Sequence, residues 1–288
     1  MITDYPEFCE LTLGQRAILH PRFQQWAEGI SEFTFANLYL LRQAHQYRIA
    51  RLPGELYVVS GRDGDEPFFM LPFGLPEAHL LDKLFQEFQS VKAVSENQAG
   101  LLSERGYVIT EDRDNFDYLY SRADMADLPR RKFHKKKNRV NAFIKNHEYQ
   151  GEPLLEEHLA QALAILETWV GQREEPGDYL AARECLEKMG ELQLCGGIYY
   201  VESEPVAFSL GEELARGTSF VIHFEKAVKA EQYPGIYQFI NQAFAAILPD
   251  FYETINREQD LGDPGLRQAK ESYYPVGWVK KYRARKAV

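Results

Sequence analysis

The order of the predicted elements in the second half of the chain constrains the fold most. Apolar periodicity predicts, in this order, helices over 156–172 and 178–189, strands over 195–201, 206–212 and 219–224, a helix over 236–248, a strand over 251–255, a helix from 264 and a strand over 276–279. The pattern is clearest over 236–248, where Ile236, Phe239, Ile240, Phe244 and Ile247 fall on one helical face. A strand hairpin and a third strand, followed by alternating helices and strands, indicate a mixed α+β domain.

The first half shows a similar but weaker alternation of short elements. Strands are predicted over 46–50, 55–60, 67–73, 107–110 and 116–120, and helices over 80–88 and 96–103. The 288 residues suffice for two domains of ordinary size. We therefore predict two tandem α/β (α+β) domains, residues 1–122 and 123–288, each with a mixed, mostly antiparallel sheet flanked by helices. The second domain is expected to carry the functional site.

Composition excludes several classes of protein. Apolar residues make up 45% of the chain and aromatic residues 13%, values that are typical of a folded globular protein. The longest apolar run, residues 68–75, is far shorter than the ~18 residues of a membrane-spanning helix, and the first residues lack the pattern of a secretion signal. Cys9, Cys185 and Cys195 form an odd set without a CxxC spacing. These features predict a cytoplasmic protein with free thiols, without disulfides and without a metal site.

Charge is distributed unevenly along the chain. The formal net charge is −10, yet eight basic residues and no acidic residue lie between Arg130 and His147. The rest of the chain therefore carries −18, which argues against a general nucleic-acid binder and favours a local anion site. A solvated helix face is the alternative interpretation of this basic segment. A second basic cluster, at 280–286, is interpreted as a solvated tail.

The densest group of polar residues lies at 255–275. A predicted strand ends there in a polar run that continues to residue 260, and a helix starts with an N-cap and a proline at 263 and 264. Glu258 and Asp260 follow the strand end directly, and Arg267 and Lys270 share one helix face. We predict that these four residues are catalytic. In the alternative interpretation, this segment is a surface helix stabilised by an ion pair of Arg267 with Glu271, and the acids only cap it.

Two segments, 128–143 and 255–275, resemble a family of bacterial proteins related to the C-terminal catalytic domain of phosphatidylglycerol lysyltransferase. The first reads LPRRKFHKKKNRVNAF and the second reads INREQDLGDPGLRQAKESYYP. The resemblance extends over essentially the whole chain. It implies two tandem domains of the Gcn5-related N-acyltransferase (GNAT)-like fold, akin also to the peptidoglycan aminoacyltransferases that use aminoacyl-tRNA.

The resemblance also implies an activity. Members of the family with established activity transfer an aminoacyl group from tRNA to a lipid hydroxyl, and they carry a long membrane-spanning region ahead of this domain. The present sequence contains no comparable apolar region. The expected acceptor is therefore a hydroxyl or amine of a small molecule or of a lipid headgroup.

The donor can be judged from one loop. Acetyltransferases of the GNAT fold hold the coenzyme A pyrophosphate with a Gln/Arg-x-x-Gly-x-Gly/Ala loop at a helix start. The corresponding stretch here begins at Gln232, but Pro234 removes one N–H donor and Tyr237 replaces the last small residue. Aminoacyl-tRNA is therefore the expected donor, coenzyme A is less favoured, and no other cofactor is predicted.

The basic segment supplies the candidate substrate-binding residues. Lys135, Lys136 and Arg139 are expected to bind phosphates of a tRNA end or a lipid headgroup. Asn138 and Asn141 are expected to add directional hydrogen bonds. Together they would anchor an anionic substrate.

The other residue types indicate the remaining roles in such a transfer. Arg267 and Lys270 are expected to bind the anion and the transition state, with Glu258 or Asp260 as the base or as a carboxylate that recognises an amine. Tyr237 and Tyr273 are predicted to line the site. A histidine at 223, inside a predicted strand, is interpreted as structural.

The leading hypothesis from the sequence is an aminoacyl or acyl transferase with a tandem GNAT-like fold. Two alternatives remain open. One is an acyl-CoA-dependent N-acyltransferase, and the other is a non-catalytic protein that keeps the fold and binds RNA or anionic lipid.

Overall fold

The computed structural model describes residues 1–287, which form two compact units. The first unit comprises Met1–Asp117, Gln259–Pro264 and the chain from Trp278 onward, and the second comprises Tyr118–Glu258 and Gly265–Gly277. The predicted domains, 1–122 and 123–288, differ from these units because the loop after residue 258 and the end of the chain join the first unit. No helix in the described part of the chain is long and apolar enough to cross a membrane.

The helices and strands follow the order expected for two α+β halves. Up to residue 111 they are β1 (Cys9–Glu10), α1 (Arg16–Gln24), α2 (Phe35–Leu41), β2 (Arg48–Leu52), β3 (Leu56–Asp63), β4 (Glu66–Met70), α3 (Ala78–Phe88), β5 (Ser90–Val94), α4 (Glu96–Glu104) and β6 (Val108–Glu111). After it come β7 (Asp117–Ser121), α5 (Arg122–Asp127), α6 (His134–Asn146), β8 (Tyr149–Pro153), α7 (Leu159–Gly171), α8 (Tyr179–Glu187), α9 (Met189–Leu192), β9 (Cys195–Val201), β10 (Glu204–Leu214), β11 (Ser219–Ala227), α10 (Ile236–Ile247), β12 (Thr254–Asn256), α11 (Pro264–Glu271), β13 (Gly277–Val279) and β14 (Tyr282–Arg285).

The first sheet is mostly antiparallel, with the order β1-β2-β3-β4-β5-β14-β6. Its parallel pair, β4 and β5, is connected through α3. The amphipathic face of α3 buries Leu81 and Leu84 against Phe69 and Val91 of this pair. The last strand of the chain, β14, lies between β5 and β6. This sheet and its helices form the core of the first unit.

The second sheet repeats the pattern, with the order β13-β7-β12-β11-β10-β9-β8. Its parallel pair, β11 and β12, is connected through α10. The strand hairpin β9–β10 and the third strand β11 are antiparallel, as predicted. Two mostly antiparallel seven-stranded sheets flanked by helices confirm the expected fold class.

Aromatic rings connect the helices of the second unit to its sheet. Phe239 of α10 stacks on Phe143 of α6 with 4.6 Å between the ring centroids, and Phe244 packs against Phe220 of β11 at 5.5 Å. Helix α6 carries the basic segment and buries Val140 and Phe143. Ile144 of the same helix is 39% exposed, because α10 contacts the face that carries Phe143.

The end of the chain corrects the sequence interpretation. The basic residues at 280–286 were expected to form a solvated tail, but residues 282–285 form β14 and the side chain of Lys281 is fully buried. The Lys281 ammonium group donates to Asp117 at 2.7 Å and also to Glu32. These carboxylates raise the pKa of Lys281 against the opposing effect of burial. Both acids are far away in sequence, so no local pattern predicts the pairing.

The buried lysine gives a prediction about stability. Replacing Lys281→Met leaves the carboxylates of Glu32 and Asp117 in the interior without their cation, which we expect to cost about 3–5 kcal/mol of unfolding free energy. Urea denaturation measures this loss. The matched variant Lys280→Met removes an exposed lysine and should leave the unfolding free energy almost unchanged. Equal stability of the two variants would show that the buried pairing does not hold the first unit together.

Candidate functional site

The candidate site lies where two parallel strands of the second unit separate. Strand β12 pairs with β11 over only three residue pairs, from Ser219 with Thr254 to Val221 with Asn256. Strand β11 continues to Ala227, whereas the chain after Asn256 no longer pairs with β11 and stays hydrogen-bonded to Tyr118 of β7. Beyond Val221, β11 has no strand partner among the described residues on the side where β12 lay. This part of β11 and the residues that follow β12 therefore border one opening. Openings at the carboxyl ends of parallel strands commonly hold functional side chains.

His223 lies in this opening between two carboxylates. It is the extra residue of a β-bulge, because Gly211 and Leu210 of β10 pair with Ile222 and Phe224. Its ring nitrogens lie 3.1 Å from Glu212 and 2.8 Å from Glu258. The side chains of His223 and Glu212 are 2% and 5% exposed, whereas that of Glu258 is 20% exposed. Glu258 is thus the more exposed of the two carboxylates.

The protonation state of His223 limits its chemistry. Burial alone lowers its pKa, but the hydrogen bonds and charges of Glu212 and Glu258 outweigh burial and raise the pKa to about 10. The ring is therefore an imidazolium at neutral pH and cannot accept a proton. Its role is to orient Glu258 and to balance part of the negative charge.

The backbone of Glu258 is held in an unusual conformation. Its φ angle is 55°, which is rare for residues other than glycine. The side chain of Asn256 accepts from the Glu258 amide at 2.8 Å, and the Lys270 ammonium group donates to the Glu258 carbonyl at 3.2 Å and to the Arg257 carbonyl. Left-handed residues held in this way concentrate at functional sites. Lys270 therefore contacts the main chain that presents Glu258.

Arg257 forms the second charged pair of the opening. Its guanidinium donates to Glu225 Oε1 at 3.0 Å and lies over the ring of Tyr273, 5.6 Å from the centroid. Asn241 of α10 donates to the same Oε1 at 2.8 Å. Glu225 is thus the carboxylate that neutralises Arg257.

Lys136 of α6 reaches the same tyrosine from the other motif. Its Nζ atom lies 3.9 Å from the centroid of the Tyr273 ring and 2.7 Å from the Ser272 hydroxyl. Burial, together with the positive charges of Arg139 and Arg257, lowers the pKa of Lys136 to about 8. These three cations near one tyrosine repel one another, and an anion placed among them would relieve this repulsion. We call Lys136, Arg139 and Arg257 the cationic cluster.

The other predicted residues lie in several places. Lys135, Asn138 and Asn141 are exposed on α6, and Arg267 is half-buried on α11. Asp260 belongs to the first unit, where its fully buried carboxylate pairs with Arg113 at 3.0 Å. The second unit thus brings Glu258, Lys270, Lys136, Arg139 and Tyr273 near its opening, and Asp260 occupies an ion pair of the first unit.

Sequence reasoning interpreted His223 as structural and missed four other residues that form the opening. They are Glu212, Glu225, Asn241 and Arg257. Arg257 stood in the polar run after β12 and could have been singled out there. The others come from neighbouring strands or from α10, and only the register of β10 and β11 brings them together.

The loop before α10 bears on the coenzyme A question. Gly235 caps α10 with a φ of 98°, and a Cβ atom there would lie 2.8 Å from the Arg139 carbonyl oxygen. The glycine of this loop is therefore required for the contact between α10 and α6. The Tyr237 hydroxyl donates to the Ala227 carbonyl at 3.3 Å, and both residues line a cavity of about 590 Å³ at the end of β11.

Within residues 1–287, no group of three or more His, Cys, Asp or Glu side chains is arranged to hold a metal ion.

The comparison with protein families agrees with this architecture. Residues 23–285 match the family model described as "Phosphatidylglycerol lysyltransferase, C-terminal". The chain belongs to this family. Its curated relative MYCGA3080, a protein of Mycoplasmoides gallisepticum described as uncharacterized, is 27% identical over 184 residues, or 61% of this chain. The chain spans about 57% of the length of that relative.

Solved structures extend the likeness to the whole chain. A conserved protein of unknown function from Bacteroides thetaiotaomicron is 30% identical, with a TM-score of 0.87 and full coverage of both chains. L-PGS from Bacillus licheniformis is 16% identical, with a TM-score of 0.62 over 99% of this chain and 94% of its own. A tandem GNAT protein from the clavulanic acid biosynthesis pathway is 8% identical, with a TM-score of 0.53 and 98% coverage of both chains. These structures confirm the tandem GNAT-like fold.

The imidazolium gives a prediction about pH. Because the folded pKa of His223 lies above its ordinary value, the ion pairs stabilise the protein fully below about pH 6.5, and this contribution disappears as the pH rises through about 10. Denaturation from pH 6 to 10 should show that the stability advantage of the wild type over His223→Gln shrinks. The exposed control His79→Gln should show no such trend. A His223 ring that titrates near pH 6.5 by NMR would contradict the assignment.

Proposed function

We propose that this protein is an aminoacyltransferase that takes an aminoacyl group from aminoacyl-tRNA and transfers it to a hydroxyl or amine acceptor. The observation that carries the proposal is the cationic cluster at Tyr273, which joins the two sequence motifs at one opening. Membership in the phosphatidylglycerol lysyltransferase C-terminal family supports the same class of reaction. A small molecule or a lipid headgroup is the proposed acceptor.

The donor would be anchored by charge. The 3′ end of a tRNA carries phosphates, for which Lys136, Arg139 and Arg257 supply fixed donors. Lys135, Asn138 and Asn141 are exposed on α6 and extend this surface along the helix. The buried ring of Tyr273 holds Lys136 and Arg257 beside each other.

The transfer itself needs a carboxylate and a positive charge. The acceptor oxygen or nitrogen attacks the carbonyl carbon of the aminoacyl ester, the bond from this carbon to the tRNA 3′-oxygen breaks, and the acceptor proton moves to that oxygen. Glu258, oriented by the His223 imidazolium, is the group proposed to relay the proton. Arg257 is the group proposed to stabilise the developing oxyanion. Lys270 positions both residues through their carbonyl groups.

Coenzyme A is a less suitable donor for this opening. Gly235 is the one residue here that matches a glycine of the pyrophosphate loop. Its tight fit against the Arg139 carbonyl explains why glycine stands at this position. Pro234 also withholds an N–H group that a phosphate would use. Aminoacyl-tRNA uses the cationic cluster without such a loop.

Binding and transfer assays with aminoacyl-tRNA test the proposal. We expect Lys136→Gln to weaken binding about fivefold to tenfold, whereas Lys145→Gln, an exposed lysine of the same helix, should bind like the wild type. Glu258→Gln should keep the affinity but slow transfer about 100-fold or more.

Three outcomes of these assays would count against the proposal. Absence of tRNA binding by the wild type contradicts it outright. Binding without transfer to any hydroxyl or amine acceptor favours a non-catalytic RNA-binding protein. Acyl transfer from coenzyme A thioesters alone favours the other donor.

A further inference from the structure

A row of polar residues crosses the second sheet beneath α10. Ser209 of β10 pairs directly with Gly197 of β9 on one side and with Glu225 of β11 on the other. Directly paired residues of antiparallel strands present their side chains on the same face. The hydrogen bond of Glu225 to Asn241 identifies this face as the one covered by α10.

Four polar atoms on this face are buried without a hydrogen-bond partner among the residues that the structure describes. They are the Tyr199 hydroxyl, Ser209 Oγ, Glu225 Oε2 and Asn241 Oδ1. Tyr199, Ser209 and Asn241 are 2%, 0% and 4% exposed, and the Glu225 side chain is 9% exposed. Buried polar atoms without partners are costly, and several that adjoin one another indicate a place for a polar ligand.

Gly197 makes room for the Tyr199 hydroxyl in this row. A Cβ atom on Gly197 would lie 3.1 Å from the Tyr199 hydroxyl, closer than side chains normally approach. Tyr199 lies two residues along the same strand and therefore projects from the same face. Its hydroxyl is thus placed above Gly197, the residue that pairs with Ser209, and it lies close enough to Glu225 for that charge to raise its pKa.

The existing hydrogen bonds determine which atoms remain available. The Asn241 amide nitrogen donates to Glu225 Oε1 and to the Tyr237 carbonyl, so its oxygen must point away from both acceptors. Glu225 Oε1 already accepts from Asn241 and Arg257, which leaves Oε2. The row therefore offers two acceptors, one of them on a carboxylate, and two hydroxyl groups. A group with several N–H donors and a positive charge matches this set.

We propose that this row, the ammonium site, binds a primary ammonium group of the amino acid carried by the donor. The inference rests on the proposed function and adds to it the part that recognises the amino acid. An aminoacylated nucleotide is positive at its amino acid and negative at its phosphates. The second unit offers Glu225 Oε2 to the first charge, and Lys136 and Arg139 of the cationic cluster to the second. The ammonium belongs either to the α-amino group or to a side chain of the amino acid.

Small amides provide the direct binding test. Alaninamide presents an α-ammonium group, lactamide replaces that group by a hydroxyl, and Nα-acetyl-lysinamide presents only a side-chain ammonium. By calorimetry near pH 7, we expect one of the two amines to bind and lactamide to bind at least about tenfold more weakly. Preference for alaninamide assigns the α-amino group, and preference for Nα-acetyl-lysinamide assigns the side chain. Failure of both amines to bind, as when only water occupies the row, overturns the inference.

Variants locate the binding within the molecule. Glu225→Gln should weaken amine binding about tenfold or more, because the hydrogen bond to the carboxylate is charge-assisted. Tyr199→Phe removes only an unpartnered hydroxyl, so the fold should be kept while amine affinity falls. Glu253→Gln, an exposed carboxylate of the same unit, is the matched control. Wild-type affinity in both Glu225→Gln and Tyr199→Phe would overturn the inference.

The same experiments separate this inference from the proposed function. Transfer from aminoacyl-tRNA that occurs without amine binding at Glu225 would refute only the ammonium site. Amine binding that depends on Glu225, in a protein that neither binds tRNA nor transfers an aminoacyl group, would refute only the proposed tRNA-dependent transfer.

Discussion

The short parallel pairing of β11 and β12 determines where the candidate site is. Three residue pairs join β12 to β11, and the chain then separates from β11 while it stays hydrogen-bonded to Tyr118 of β7. Lys270 and Asn256 stabilise the turn through the main chain of these residues, and the His223 bulge fills the space beside it.

Cationic and anionic groups occupy different parts of the opening and meet at Arg257. The cationic cluster lies at Tyr273, between α6 and the segment after α11, whereas Glu225 lies beneath α10 and Glu258 is held by His223. Arg257 connects these groups because it pairs with Glu225 and lies over Tyr273. This arrangement suits a substrate with a positive and a negative end.

The helices and hairpins that local interactions determine could be predicted from local sequence patterns. Helix α10, the β9–β10 hairpin and the basic helix α6 all have periodicity or composition that can be read from the sequence, and the family motifs extended this to the tandem fold. The place of the chain end within the first sheet could not be predicted in this way. Strand β14 and buried Lys281 depend on Glu32 and Asp117, which are more than 160 residues away. His223 and Glu225 likewise acquire their surroundings from strand register, which the sequence does not display.

A nonhydrolysable 3′-aminoacylamido-adenosine tests the central claim most directly, because it carries the amino acid and the terminal nucleoside of the donor together. Titration into the isotope-labelled full chain, followed by NMR, maps its position. We expect perturbed resonances at Arg257 and Tyr273 and at Glu225 beneath α10. Saturable perturbations confined to other surfaces, or none at all, would contradict the assignment of this opening as the aminoacyl-transfer site.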